Sequence, residues 1–247
     1  MALFLSLGSL VGCSGTEQGE PSPRSGRELI ASLDELFAEL AAIPLDSTGL
    51  SQEAVQLNET IRRKIESIGP TKFLGEIGES YREGGHGFSF ALSKDKKLGI
   101  FSWYTKMDAS GNKIKNMAVY DQGDRLEVSS LSGMPIIYGK VHQVETYKDE
   151  VLYMLHGKDQ NENGDVFRLD AYTLRHGQLE EAPAFPNNES SIAIARMVRA
   201  TDPSDPLGFR VVMNGSRILV PNIPGKALKA HALAFNGRKY VPESELE

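Results

Sequence analysis

One change of hydrophobic period limits what this chain can become. Up to Pro70 its apolar residues recur every three or four positions, and from about Phe88 they alternate. The first pattern lays an apolar stripe along a helix; the second sends every other side chain to one face of a strand. Helices first and strands afterwards is the order these periods impose.

Two helices are predicted. Ser25 is placed to cap a segment in which Leu29, Leu33, Leu36, Phe37, Leu40 and Ile43 form one stripe, and Pro44 stops it. Ser51 opens the second, with Leu50 and Val55 spaced as a hydrophobic staple. Its stripe is Ala54, Leu57, Ile61, Ile65 and Ile68, and Gly69-Pro70 ends it. The pair reads as a helical hairpin over residues 27–69, with neither face wide enough for a membrane span.

Residues 70–247 are predicted to be an antiparallel β-rich region forming one domain with the helices. Alternating runs fall at 88–92, 98–103, 116–120, 125–129, 136–146, 151–156 and 166–174, with shorter ones behind them. Val151, Tyr153 and Leu155 face one way and Leu152 and Met154 the other, which predicts a central strand covered on both sides. Asn214-Gly215 and Asn236-Gly237 each sit between apolar runs. That is the strongest short hairpin signal, because both central residues of a two-residue type I′ turn need positive φ. Consecutive hairpins without a later long helix predict an α+β fold, a β-meander forming a sandwich or strongly curved sheet with the helical pair on one face or end. A β-propeller is the alternative, for which about 150 residues of strand would supply three or four blades.

The N-terminus carries an address. Ala2, Leu3, Phe4, Leu5, Leu7, Leu10 and Val11 make an apolar stretch without a charged side chain, too short to cross a bilayer and of the length of a signal-peptide core. Leu10-Val11-Gly12-Cys13 follows and resembles the lipobox of bacterial lipoprotein precursors. The resemblance implies a signal at 1–12, diacylglycerol on the Cys13 thiol and cleavage just before it. Ser14 in the next position then implies the outer membrane rather than inner-membrane retention. Cys13 is the only cysteine, so no intrachain disulfide forms. Residues 13–26 are rich in Gly, Ser, Pro and Glu, the composition of a flexible tether. A formal charge of −6 argues against attraction to nucleic acid.

The body of the chain resembles a group of uncharacterised secreted and lipid-anchored proteins of Gram-negative bacteria that carry a strand with Ser-Trp-Asp-Thr. The matching run here is Leu98-Gly99-Ile100-Phe101-Ser102-Trp103-Tyr104-Thr105, preceded by Ser93-Lys94-Asp95-Lys96 and followed by Val151-Leu152-Tyr153-Met154-Leu155. Tyr104 stands where that group has Asp, so a role carried by that Asp does not transfer to this chain. The group brings no established activity with it.

Few residues point to chemistry. Asp159, Asn161, Asn163, Gly164 and Asp165 follow the spacing of a calcium loop, and Asp170 falls at its twelfth position. Calcium is the one cofactor the sequence raises, and a plain hairpin tip is the other reading of the same Asp/Asn/Gly cluster. His86, His142, His156, His176 and His231 show no metal-ligand spacing. Glu83-Gly84-Gly85-His86-Gly87 lacks the pattern of a phosphate loop, and no serine sits in a Gly-x-Ser-x-Gly elbow. Glu76, Glu79 and Glu83 in one segment read as a solvated face rather than as the opposed carboxylates of a glycosidase. No catalytic residue is assigned. Two function classes remain: a lipid-anchored envelope module that binds a protein, peptide or glycan, and a hydrolase of envelope polymer. The second would need titratable groups to converge in a cleft.

Overall fold

The computed structural model describes residues 23–45, 51–82, 85–161, 164–196, 208–221 and 232–246. Cys13 and its lipobox, Leu50, Glu83, Asn163 and His231 lie outside these residues. Helix α1 (Gly26–Ala42) opens on Ser25, whose hydroxyl accepts from the Glu28 amide. Helix α2 (Gln52–Glu66) opens on Ser51 in the same way, accepting from the Ala54 amide. Both caps act as the sequence predicts, satisfying an amide that has no partner within its own helix.

A third helix, α3 (Lys72–Arg82), was not expected, so the helical part is three helices rather than a hairpin. Phe73, Leu74 and Ile77 form its buried stripe, but Gly75 and Gly78 interrupt the pattern and disfavour a helix by about 1 kcal/mol each. The structure shows a steric reason for glycine. A Cβ on Gly78 would stand 2.4 Å from a methyl of Leu92, and one on Gly26 would stand 2.5 Å from the Ile77 nitrogen. Close approach also lets Glu76 accept from the Gly26 amide at 2.8 Å, so this glutamate anchors the start of α1.

The strands form three antiparallel sheets, each following chain order. The first comprises β1 (Ser89–Leu92), β2 (Leu98–Tyr104), β3 (Ile114–Asp121) and β4 (Leu126–Ser130). The second comprises β5 (Ile137–Glu145), β6 (Val151–Asn161), β7 (Gly164–Arg175) and β8 (Gln178–Glu181), with β9 (Ser191–Arg196) also pairing with β7. The third comprises β10 (Arg210–Val212), β11 (Arg217–Leu219), β12 (Ala232–Phe235) and β13 (Tyr240–Pro242). The α+β class and the meander order hold. The strands of the meander divide among three stacked sheets.

Period-two alternation builds this stack, because strands of the first two sheets bury both faces. Phe101, Trp103, Met117 and Val119 pack under the helices, while Leu98, Ile100, Ala118 and Tyr120 turn toward the second sheet. Tyr153 and Leu155 of β6 meet them there. Leu152 and Met154 leave β6 on its other face and pack with Ile218, Leu233 and Tyr240 of the third sheet. Strand β6 is therefore covered on both sides, as its sequence predicts.

The two Asn-Gly hairpins are present, with longer turns than expected. Val212 pairs with Arg217 and Phe235 with Tyr240, leaving four residues in each connection rather than two. Only Gly237 of the second pair takes positive φ, at 87°. Asn236 instead uses its side-chain oxygen to accept from the Arg238 and Lys239 amides, both at 3.0 Å.

Polar side chains join the layers. Asn58 of α2 donates to the Ala54 and Thr105 carbonyls and accepts from the Trp103 indole at 2.8 Å. Asn116 of β3 donates to the Ile136 carbonyl at 2.7 Å and accepts from the Ile136 amide at 3.1 Å. Ser102 accepts from the Tyr138 amide, and Ser89 donates to the Tyr138 carbonyl at 2.6 Å. Asp95, in the β1–β2 turn, accepts from the Tyr153 hydroxyl at 2.8 Å. Asn58→Leu strands the Trp103 indole N–H and the Thr105 carbonyl in the core. We expect it to lower unfolding stability by about 2–4 kcal/mol, measured by urea titration.

Candidate functional site

The calcium-like run is a hairpin tip. Asn161 pairs with Gly164, so the strands continue almost to the turn. Asp159 lies opposite Val166 and Asp165 opposite Gln160, which sends the two carboxylates to opposite faces of the sheet. Asp159 accepts from the Tyr104 hydroxyl at 3.4 Å, and Asp165 faces Lys158 at 3.7 Å. Asp170 lies five residues along β7 from Asp165, roughly 16 Å at the rise of a strand. The structure does not bring these three carboxylates together. Asn163 and the Asn161 side chain are outside the described residues, among which no group of three or more metal-ligating side chains occurs.

Asp170 belongs to a buried cluster. Its Oδ2 accepts from the Tyr138 hydroxyl at 2.6 Å and from Arg168 Nε at 2.7 Å, while Arg168 Nη2 donates to the Tyr138 oxygen at 2.8 Å. Burial, then the adjoining Asp170 carboxylate, pushes the Tyr138 hydroxyl well above its ordinary range. A buried charge needs such paired and hydrogen-bonded company. His86 is likewise committed. Its Nδ1 lies 2.8 Å from Asp34 Oδ1 and its Nε2 2.9 Å from the Tyr81 carbonyl, with the ring stacked on Tyr81. Glu79 pairs with Lys96 at 3.3 Å. Thus Glu76, Glu79 and His86 serve the helical layer, away from Asp165 and Asp170.

Strand β5 carries a different arrangement. Tyr138 pairs with Gly157 but Lys140 with His156, so Gly139 is an extra, unpaired residue. Such a bulge changes the face to which the following side chains point. Tyr138 stays in the core with the first sheet, while Lys140 and His142 emerge on the face that carries His156. Three adjoining hollows of about 540, 580 and 570 Å³ meet here, and Lys140 borders all of them. One runs along β6 past His156, Lys158 and Gln160 to Tyr104. The second lies between β5 and residues 211–215, and the third between α3, β1 and the bulge.

The electrostatics of this groove are one-sided. Glu145 is the one carboxylate among the described residues bordering the three hollows, against Lys94, Lys96, Lys140 and Lys158. Lys96 and Lys158 have carboxylate partners; Lys94 and Lys140 have none among the described residues. The His142 and His156 rings lie 5.7 Å apart, and the buried Nε2 of His142 has no hydrogen-bond partner. Burial first, then Lys140 and His156, depresses His142 to about 4. Burial and Lys140 lower His156 in the same direction. Near neutral pH both rings are uncharged beside a lysine. That combination suits the capture of an anionic or hydrogen-bonding group.

Comparison with protein-family models, curated proteins and solved structures finds no match to this chain. The groove therefore has to be read from its own geometry. Sequence reasoning passed over it because His142 and His156 are far apart along the chain. One signal was present: the two histidines sit nearly symmetrically about Lys148, the centre of the β5–β6 hairpin.

His142 makes stability depend on pH. Unfolded, its imidazole titrates near 6.5; folded, near 4, so between these values only the unfolded chain takes the proton. Its contribution is complete above about pH 6.5 and is lost as pH falls toward 4. Allowing for its partial exposure, the loss is about 2 kcal/mol. Urea midpoints at pH 7.5 and 4.5 should draw closer in His142→Gln than in the wild type.

Proposed function

We propose that this chain is a lipid-anchored, non-enzymatic binding module of the bacterial cell envelope that takes its partner, a protein, peptide or glycan, in the groove along β5. The observation that carries the reading is Lys140, which has no carboxylate partner among the described residues and stands where three hollows meet in a protein of net charge −6. Clefts with a few convergent polar groups are the usual places for ligands. The carboxylates that a hydrolase would draw on are engaged elsewhere: Glu76 at the start of α1, Glu79 with Lys96 and Asp170 with Arg168.

The anchor rests on the lipobox resemblance at Cys13. More than one acyl chain on that residue would hold the protein stably at a membrane, as a single chain does not. Labelled palmitate fed to expressing cells should enter the wild type and not Cys13→Ala; equal labelling of the two would end the lipid assignment.

The binding face has its own test. Diazirine photo-crosslinkers at Lys94 and Met213, which border the groove, should yield adducts in intact cells. The same probe at Gln178 and Glu180 on β8 should give few. Comparable yields at all four positions would remove the groove from this role.

A further inference from the structure

We propose that the corner formed by Lys140, His142 and His156 binds an anionic oxygen group, a phosphate or a carboxylate, carried by the ligand of the groove. This rests on the groove being the binding face and names the chemistry it selects. The bulge at Gly139 sets Lys140 directly across from His156, and His142 follows two pairs further on, opposite Met154, so all three leave one face of the sheet. Lys94 shares two of the three hollows with Lys140.

An ammonium beside two imidazoles opposes their protonation, and no carboxylate among the described residues pairs with Lys140 to relieve this. Burial, and after it Lys140, depresses both imidazoles, and the His142 Nε2 keeps an unused hydrogen-bonding position. An anion here reverses the sign of that repulsion. It pairs with the ammonium and favours the protonated imidazoles, whose N–H groups then have an acceptor.

Among the described residues, few other charges surround the two rings. Lys94 and Glu145 border the same hollow as His142, and Lys158, paired with Asp165, follows His156 along β6. Residues 211–215 of the third sheet bring no titratable group to it. Binding therefore takes up protons and tightens as pH falls.

The test uses the full chain with isotope-labelled histidine, titrated with sodium sulfate, whose charge is constant between pH 5 and 8. Sodium chloride at matched ionic strength is the control. The imidazole signals of His142 and His156 should move saturably with sulfate alone, with tighter binding at pH 5.5 than at 7.5. Lys140→Gln should weaken binding about tenfold, the loss of one charge-assisted hydrogen bond, with its melting temperature unchanged. Glycerol phosphate and glucuronate, titrated in parallel, then show which source of the anion the corner prefers. Shifts no larger than in chloride, or undiminished binding by Lys140→Gln, would overturn the proposal. If crosslinks at Lys94 and Met213 nevertheless form in cells, the groove keeps its role and the anion chemistry alone is lost.

Discussion

Three side chains of the first sheet hold the strand on which the rest of the molecule depends. Ser89, Ser102 and Asn116 between them serve both the amide and the carbonyl of Ile136, just before β5, and of Tyr138, at its start. Buried backbone polar groups must find partners, and a change from one sheet to another removes the ladder that would supply them. Here side chains take the place of a neighbouring strand. They set the start of β5 against the first sheet, and the other strands of the second sheet are paired outward from it.

The helices legible in the sequence were those with clean stripes and side-chain caps, α1 and α2. Helix α3 escaped notice because Gly75 and Gly78 weaken its helical pattern, although Gly78 is what lets it approach Leu92 of β1. Individual strands were legible from alternation, β6 most of all. Their division into three sheets was not, since alternation says which residues are buried and not which neighbours bury them. The groove was hidden for a related reason. Its residues meet only through the β5–β6 register and an unpaired glycine, neither of which leaves a local mark.

The Asp170 cluster shows how spacing alone can mislead. The residue falls at the last ligand position of a cation loop, yet its strand carries it into the core, where Arg168 and Tyr138 occupy its carboxylate. What the pattern could not contain was the length of the hairpin. Once β6 and β7 pair as far as their tip, carboxylates five residues apart lie along a rod and not around a sphere. The same rigid pairing makes β6 a shared wall between two hydrophobic cores, so neither core can loosen without exposing one face of the other's strand.

The bulge at Gly139 has a consequence for how this protein can vary. The groove depends on register as much as on residue type. Tyr138 and Lys140 point to opposite faces because Gly139 stands between them unpaired; a regular ladder over the same residues would send Lys140 toward the aromatic interior and bring Val141 to the surface. Loss of Gly139 would leave Tyr138 opposite Gly157 and Lys140 opposite His156, so the groove tolerates the absence of that residue but not its pairing.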